Sequence, residues 1–369
     1  MNRVLIIGGA GFIGSHTADL YYKNGYEITI LDSLNEKSHN NNWPKYLNPS
    51  YNLVKGDVND SDLLLSLLKK TDYICHFAAE MDLNPDFSKF INVNVGSTAL
   101  IYELLIKYNI CIKKVLIASS QFVYGEGKYL DGMNIVFPKD RSIQNFKSNK
   151  WDFYDNEGNV LQYLYNREDD IVSPPNHYAL SKYFQEEFAM RMGKLYSIPT
   201  VAMRYSIVHG IRQSLKNSYS GALRTFVLSV LSEMKFATFE DNLTKRDFVA
   251  VEDVANANLI VLENDLANYQ IFNCGGGIEI SITDLAKIVC EKFNIELQFN
   301  EKIEYRLGDI RNAISDISKL KNLGWSPLID ERTTVSRYID WVLEQKPDIE
   351  KFRYTQKYLR ENNIIRSLN

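Results

Sequence analysis

Tyr178 and Lys182, in Tyr-Ala-Leu-Ser-Lys, stand four positions apart. On a helix that spacing puts both side chains on one face. A free tyrosine is a poor base near neutral pH; an adjacent ammonium favours the phenolate and lowers its pKa, making the hydroxyl a usable proton acceptor and donor. Alone, Tyr-x-x-x-Lys is common, and most instances are plain helix surface. Ser119 and Ser120 close the apolar run Val115–Ala118. That run reads as a strand, and ligands bind at the carboxyl ends of strands in open α/β sheets. There Ser120 can hold a substrate hydroxyl or carbonyl and help pass its proton. Near the start, Gly8-Gly9-Ala10-Gly11-Phe12-Ile13-Gly14 follows the apolar run Val4–Ile7 and opens a helical pattern. Gly8 permits a tight turn, Gly11 leaves room for a pyrophosphate, and Gly14 lets the helix approach the sheet. A pyrophosphate would then meet unpaired N–H groups at the positive end of the helix. With Phe12 and Ile13, these glycines are candidate dinucleotide-binding residues.

Asp32 ends the second apolar run, at the spacing expected of an acceptor for the adenosine ribose hydroxyls. A carboxylate there repels a 2′-phosphate, which favours NAD over NADP as the cofactor. Gly56-Asp57-Val58 follows the third run, at the edge where an adenine would lie. Asp57 can accept from the adenine amino group, or it can cap the helix that begins near Asp60; both readings fit.

Such residues need a scaffold that gathers strand ends and helix starts. Strands read at Val4–Ile7, Glu27–Leu31, Tyr51–Val54, Tyr73–Phe77 and Lys114–Ala118, with helices at Phe12–Tyr22, Ser61–Leu68 and Phe87–Tyr108. The strands are apolar almost throughout, as in parallel sheets buried on both faces. The alternation predicts an α/β fold with a doubly wound parallel sheet, a Rossmann architecture. From Gly125 to Ser173 the rhythm breaks; the stretch reads as an insertion beside the sheet, a flap with a hairpin at 156–159. Helix and strand patterns resume after Pro174-Pro175 and become mixed beyond Thr200–Met203. The last twenty or so residues are charged and read as a peripheral helix or loose tail.

Bulk properties exclude several classes. A net charge of −4 offers nothing to a nucleic acid. No apolar run is long enough to span a membrane, and Met1 leads at once into the first strand, so the expectation is a cytoplasmic protein without a signal peptide. The four cysteines, Cys75, Cys111, Cys274 and Cys290, lie far apart in apolar stretches and read as core residues in a reducing compartment, with no metal site.

Together with His-Phe-Ala-Ala at 76–79, Ser-Ser-Gln-Phe-Val-Tyr-Gly at 119–125, Lys-Arg-Asp-Phe-Val at 245–249 and Arg-Leu-Gly-Asp at 306–309, these motifs are highly specific. The chain resembles the extended short-chain dehydrogenases/reductases of the NAD-dependent nucleotide-sugar epimerase/dehydratase family, from Arg3 to about Trp341. The resemblance implies that Tyr178 is the acid or base, Lys182 its partner and Ser120 the third catalytic residue. It places Phe77, Ala78 and Ala79 under the cofactor, Val93 and Asn94 near it, and Ser206 near the nicotinamide. Arg246 and Arg306 match arginines that hold a nucleotide diphosphate, which suits guanidinium geometry, and Asp309 matches a residue near the nucleotide ribose.

The resemblance also implies a second, smaller mixed α/β substrate domain and a homodimer. The expected division is residues 1–203 plus 245–273 for NAD, with the insertion at 126–173. Residues 204–244 plus 274–345 would hold the nucleotide sugar, followed by a tail at 346–369. Two positions depart from the family: Gln121 and Phe122 stand where dehydratases carry acidic groups, and Ile207 replaces an asparagine. The first argues against a 4,6-dehydratase. Val-Tyr-Gly-Glu-Gly-Lys-Tyr and Tyr-Gln-Ile-Phe-Asn-Cys-Gly-Gly-Gly are similar to the dTDP-L-rhamnose or UDP-glucose 4-epimerase type. The implied reaction is epimerisation at C4 through a 4-keto sugar. A nucleotide-4-ketosugar reductase, a sugar-nucleotide dehydrogenase or dehydratase, and a non-catalytic NAD-binding protein are the alternatives. The base would be selected around Tyr219–Phe226.

Overall fold

Strand β1 (Arg3–Ile7) runs inside a seven-stranded sheet in the computed structural model, which describes residues 1–82, 84–217 and 221–368. Tyr219 lies outside the described residues. Helix α1 (Phe12–Lys23) leads to β2 (Glu27–Asp32) and β3 (Asn52–Lys55); α2 (Ser61–Leu68) then leads to β4 (Tyr73–His76). A π-helical turn, Ile91–Gly96, runs into α3 (Ser97–Lys107) and on to β5 (Lys114–Ser120). After the insertion come α4 (His177–Leu195) and β6 (Thr200–Tyr205). Beyond β6, α5 (Gly221–Leu231) belongs to the smaller domain, and α6 (Val251–Glu263) returns the chain to β7 (Gln270–Cys274).

The strands lie side by side in the order β7-β6-β5-β4-β1-β2-β3, all parallel. Alternate residues of β1 explain why the run is apolar throughout. Val4 and Ile6 pack with Ala18 and Tyr21 of α1 and Val254 of α6 on one face. Leu5 and Ile7 pack with Leu64 and Leu68 of α2 and Ile101 of α3 on the other. The chain winds outward to β3 and then restarts at β4 on the opposite side of β1. Where the order reverses, loops diverge and leave a crevice at the carboxyl edge of the sheet. Gly8 after β1, Phe77 after β4 and Ser120 at the end of β5 all face that edge.

The insertion is not a flap. Its strands Lys128–Asp131, Asn134–Val136 and Gln162–Leu164 form a small antiparallel sheet, and Tyr154 pairs with Val160 across the expected hairpin. It is wedged against the smaller domain by a buried charge cluster. Arg141 donates to Glu126 (2.9 Å), to Glu240 (2.8 Å) and to the Asp309 carbonyl (3.0 Å). Phe146 stacks on Tyr305 at 4.9 Å. Its polar, aromatic composition hides these contacts because every partner lies far away in sequence.

Of the two expectations for the C-terminus the helix is present, but it is packed and not peripheral. Helix α7 (Ile349–Glu361) buries Phe352, Gln356 and Leu359, an i, i+4, i+7 stripe on an otherwise charged helix. Arg366–Ser367 then adds a strand to the sheet of Phe236–Phe239 and Phe299–Tyr305. Among the cysteines, Cys75, Cys274 and Cys290 are buried as expected, but Cys111 is exposed in the loop after α3.

Removing one member of a buried ion cluster leaves its partners charged and unpaired. Arg141→Ala is therefore expected to lower unfolding stability by about 3–5 kcal/mol, read from urea denaturation at pH 7. A loss under about 1 kcal/mol would mean that the insertion is loosely attached.

Candidate active site

Gly8, Gly11, Phe12, Ile13, Gly14, Asp32, Asp57 and Val58 all line one cavity of about 690 Å³ at the sheet's carboxyl edge. Gly8 has a φ of +80°, and a Cβ there would lie 2.5 Å from the Ala78 nitrogen. A Cβ on Gly14 would lie 2.5 Å from the Gly8 oxygen, so this glycine sets how closely α1 approaches the loop. Among the described residues no side chain caps α1, and its first turn has no acidic residue, leaving its N-terminal N–H groups to the cavity. Asp32 accepts from the Ala10 (3.1 Å) and Leu34 (2.9 Å) nitrogens, which fixes its carboxylate at the cavity wall. These features fit a dinucleotide: a tight turn no side chain can enter, free donors for a pyrophosphate, and a fixed acceptor for a ribose.

The two readings of Asp57 separate. Asp60 caps α2 by accepting from Leu63 (3.0 Å), whereas Asp57 accepts from the Asn59 backbone (2.8 Å) and lines the cavity. Phe77, Ala78, Ala79 and Val93 also face the cavity. Asn94 does not. It is fully buried; its Oδ1 accepts from Glu80 (2.7 Å) and its Nδ2 donates to Ser181 (2.8 Å). The π turn directs Val93 to the cavity and Asn94 to the interior, where it ties the post-β4 loop to α4.

Tyr178, Lys182, Ser119 and Ser120 line the same cavity. The first turn of α4 is set by Asn176, whose side chain accepts from Ala179 (2.9 Å). Burial pushes the Tyr178 hydroxyl up to about 12, and its hydrogen bond with Ser120 works against that rise. The expected lowering by Lys182 is therefore not present in the protein alone. Lys182 is buried and directs its amine to the Gln185 Oε1. Gln185 in turn donates to Thr98 (2.9 Å), and Thr98 donates to the Asn94 carbonyl (2.9 Å). Burial lowers the Lys182 amine to about 7, opposed by the Glu186 carboxylate.

Toward the smaller domain, Arg246, Arg306 and Asp309 line the same cavity. Arg246 is anchored on the carbonyls of Ile310 (2.8 Å) and Arg311 (3.1 Å), and Arg306 lies over the Phe239 ring at 5.1 Å. Asp309 sits between them, 3.5 Å from Arg246 and 3.3 Å from Arg306. Burial works to raise its carboxyl, but the charges of Arg306, Arg246 and Arg141, with the Ile310 N–H, outweigh burial and hold it below the ordinary carboxylate range. Ser206 lines the cavity with its hydroxyl donated to Asp247 (2.7 Å). Burial pushes the Asp247 carboxyl up to about 7.

Sequence reading missed several residues here. Gln185 lies three positions after Lys182 on the same helix, a spacing that was itself a signal. Asp247 adjoins the singled-out Arg246. Glu240, Gln356, Leu359 and Ile365 also line the cavity, and no local motif marks them.

The model of the NAD dependent epimerase/dehydratase family matches residues 4–142 and 155–275. The chain is 32% identical over 349 residues to a putative UDP-glucose 4-epimerase of Methanocaldococcus jannaschii, covering 92% of this chain and 98% of that one. It is 30% identical over 354 residues to dTDP-L-rhamnose 4-epimerase of Burkholderia thailandensis, covering 93% and 95%. Among solved structures it is similar to Thermotoga maritima UDP-glucose 4-epimerase with UDP-glucose. That likeness has a TM-score of 0.75 at 24% identity and covers 93% of this chain and 99% of that one.

The buried amine has a thermodynamic signature. An amine lowered from its ordinary 10.5 to about 7 binds fewer protons folded than unfolded between those values. Its burial penalty is complete below pH 7 and fades as pH rises toward 10.5. Lys182→Met, without cofactor, is expected to be more stable than wild type at pH 6 by about 1 kcal/mol or more. The gap should shrink toward pH 9. Urea denaturation across that range checks it, and a variant less stable at pH 6 would contradict it.

Proposed function

The chain belongs to the NAD dependent epimerase/dehydratase family, and on that premise we propose that it inverts C4 of a nucleotide-diphosphate sugar through a 4-keto sugar. One observation carries the reading. A single cavity joins a dinucleotide cradle, a Tyr-Lys-Ser cluster and a pair of arginines, so cofactor, reacting carbon and diphosphate have one site each along it.

NAD, when bound, would supply the hydride acceptor and donor that the C4 inversion needs. The chain's own residues do the rest. Gly8, Gly11, Phe12, Ile13 and Gly14 would hold the pyrophosphate, Asp32 the adenosine ribose and Asp57 and Val58 the adenine. Phe77, Ala78, Ala79 and Val93 form the bed beneath. Tyr178 takes the proton of the C4 hydroxyl and gives it back after the sugar turns. Ser120, bonded to Tyr178, holds the same oxygen and shares the proton. Lys182 supplies positive charge near the phenolate and a donor for the nicotinamide ribose. Positive charge at this point would work against the burial that raises Tyr178. Ser206 would face the nicotinamide, its hydroxyl fixed by Asp247. Arg246 and Arg306 would bind the diphosphate, and Asp309, held beside them, would face the nucleotide ribose.

Dehydration is disfavoured on geometry. Phe122 lines the cavity where a dehydratase needs an acid, and Gln121 is buried away from the wall. The proposal includes a homodimer in the cytoplasm. Leu180 and Phe184 of α4, with Phe87 and Ile91, are exposed, an apolar stripe suited to a second copy.

A panel of UDP-, dTDP-, CDP- and GDP-sugars, followed by proton NMR without added cofactor, tests the reading. One sugar should invert at C4 with no NADH build-up. Tyr178→Phe should slow that inversion by about 10²–10⁴-fold while retaining the bound cofactor. If every C4 stays intact and added NAD(H) is consumed, a reductase or dehydrogenase replaces the epimerase.

A further inference from the structure

The C-terminal segment builds part of the cavity. Gln356 and Leu359 of α7, with Ile365 just before the last strand, line it beside Phe226, Ala237 and Phe239. Arg306 stacks on Phe239, so this wall begins where the paired arginines end. Tyr178 and Ser120 lie at the other side, on the edge of the main sheet. A nucleotide with its sugar at Tyr178 and its diphosphate on the arginines must place its base against the wall that α7 and Phe239 form. The segment is built into that position. Its strand pairs Arg366 with Tyr305 and Ser367 with Glu304, and Arg224 of α5 lies over Phe352 at 5.6 Å.

Gln356 brings an amide to an apolar stretch of this wall, and its orientation is set. Arg360 is clamped on Glu304 through Nε (2.5 Å) and Nη2 (2.9 Å). Its Nη1 donates to the Gln356 carbonyl (2.9 Å) and reaches the Gln356 Oε1 (3.4 Å). With Oε1 turned to Arg360, the Nε2 donor is the part left to the cavity. A largely buried donor of this kind favours a ligand carbonyl and disfavours a ligand amino group, because a mismatched pair leaves both desolvated.

Resting on the nucleotide-sugar reading above, we propose that the C-terminal segment is the base-reading wall and that Gln356 is a specificity-determining residue. It donates to the 4-carbonyl of uracil or thymine, the position where cytosine carries an amino group. The protein thereby selects uridine or thymidine diphosphate sugars over cytidine ones.

Titration calorimetry of the NAD-loaded enzyme with UDP, dTDP and CDP tests this. Wild type should bind UDP or dTDP more tightly than CDP. Gln356→Met should shrink that preference by about fivefold or more, mostly by weakening UDP and dTDP. The same variant should raise KM and leave kcat within about twofold on the sugar that wild type epimerises. Gln356→Glu keeps a partner for Arg360 but lacks the donor, so its preference should shrink too; a ratio cancels any general effect of the added charge. An unchanged ratio in both variants, or a wild type without preference, overturns the proposal. A wild type that binds none of the three defeats the nucleotide-sugar reading itself, and this inference with it.

Discussion

A nearly buried amine at the cavity wall, Lys182, dictates how the surrounding structure is built. Burying an ammonium in an apolar interior is costly unless the group is hydrogen-bonded and free to shed its charge. The chain does both: Gln185 accepts from the amine, and burial lowers it to about 7. Gln185 must itself be held, and Thr98 and the Asn94 carbonyl hold it. That contact needs α3 and α4 side by side at the carboxyl edge of the sheet. The π turn at Ile91–Gly96 shifts the helix phase so that Val93 and Asn94 face opposite ways. Parallel strand order then delivers Ser120 to Tyr178.

A different electrostatic device serves the far side of the cavity. Arg246 and Arg306 are held close together with Asp309 as a resident counter-charge. Their like charges are tolerable because a carboxylate lies between them, and a diphosphate can take its place with better geometry for guanidinium forks. The insertion supports this arrangement from behind, since Arg141 binds the Asp309 carbonyl and Glu240 together. The two halves of the site thus depend on different parts of the chain, one on the main sheet and the other on segments gathered from the insertion, the smaller domain and the C-terminus.

Much of the sheet and the dinucleotide cradle was legible because their signals are local. Glycines between an apolar strand and a helix report their own backbone, and Tyr178 with Lys182 reports a shared helix face. What escaped was set by distant partners. Asn94 looked like a cofactor contact until the π turn rotated it inward. Asp57 and Asp60 compete for one cap, and three residues of loop geometry decide it. The lowered tyrosine expected from Lys182 gave way to burial, which sequence does not show. The insertion and α7 read as peripheral because their buried stripes, Arg141 and Phe146 in one and Phe352, Gln356 and Leu359 in the other, are sparse among charged and polar residues. Cys111 shows the reverse error, an apolar context that turned out to be exposed.

In the proposed reaction the hydrogen on C4 leaves and returns as a hydride within the cavity while Tyr178 handles the hydroxyl proton. The most direct test places deuterium at C4 of the nucleotide sugar that the enzyme inverts and follows the product by NMR in ordinary water. Full retention of deuterium at the inverted C4 is the result this account predicts. Replacement of that deuterium by solvent hydrogen would show that carbon deprotonation, not hydride transfer, inverts the centre, and would contradict it.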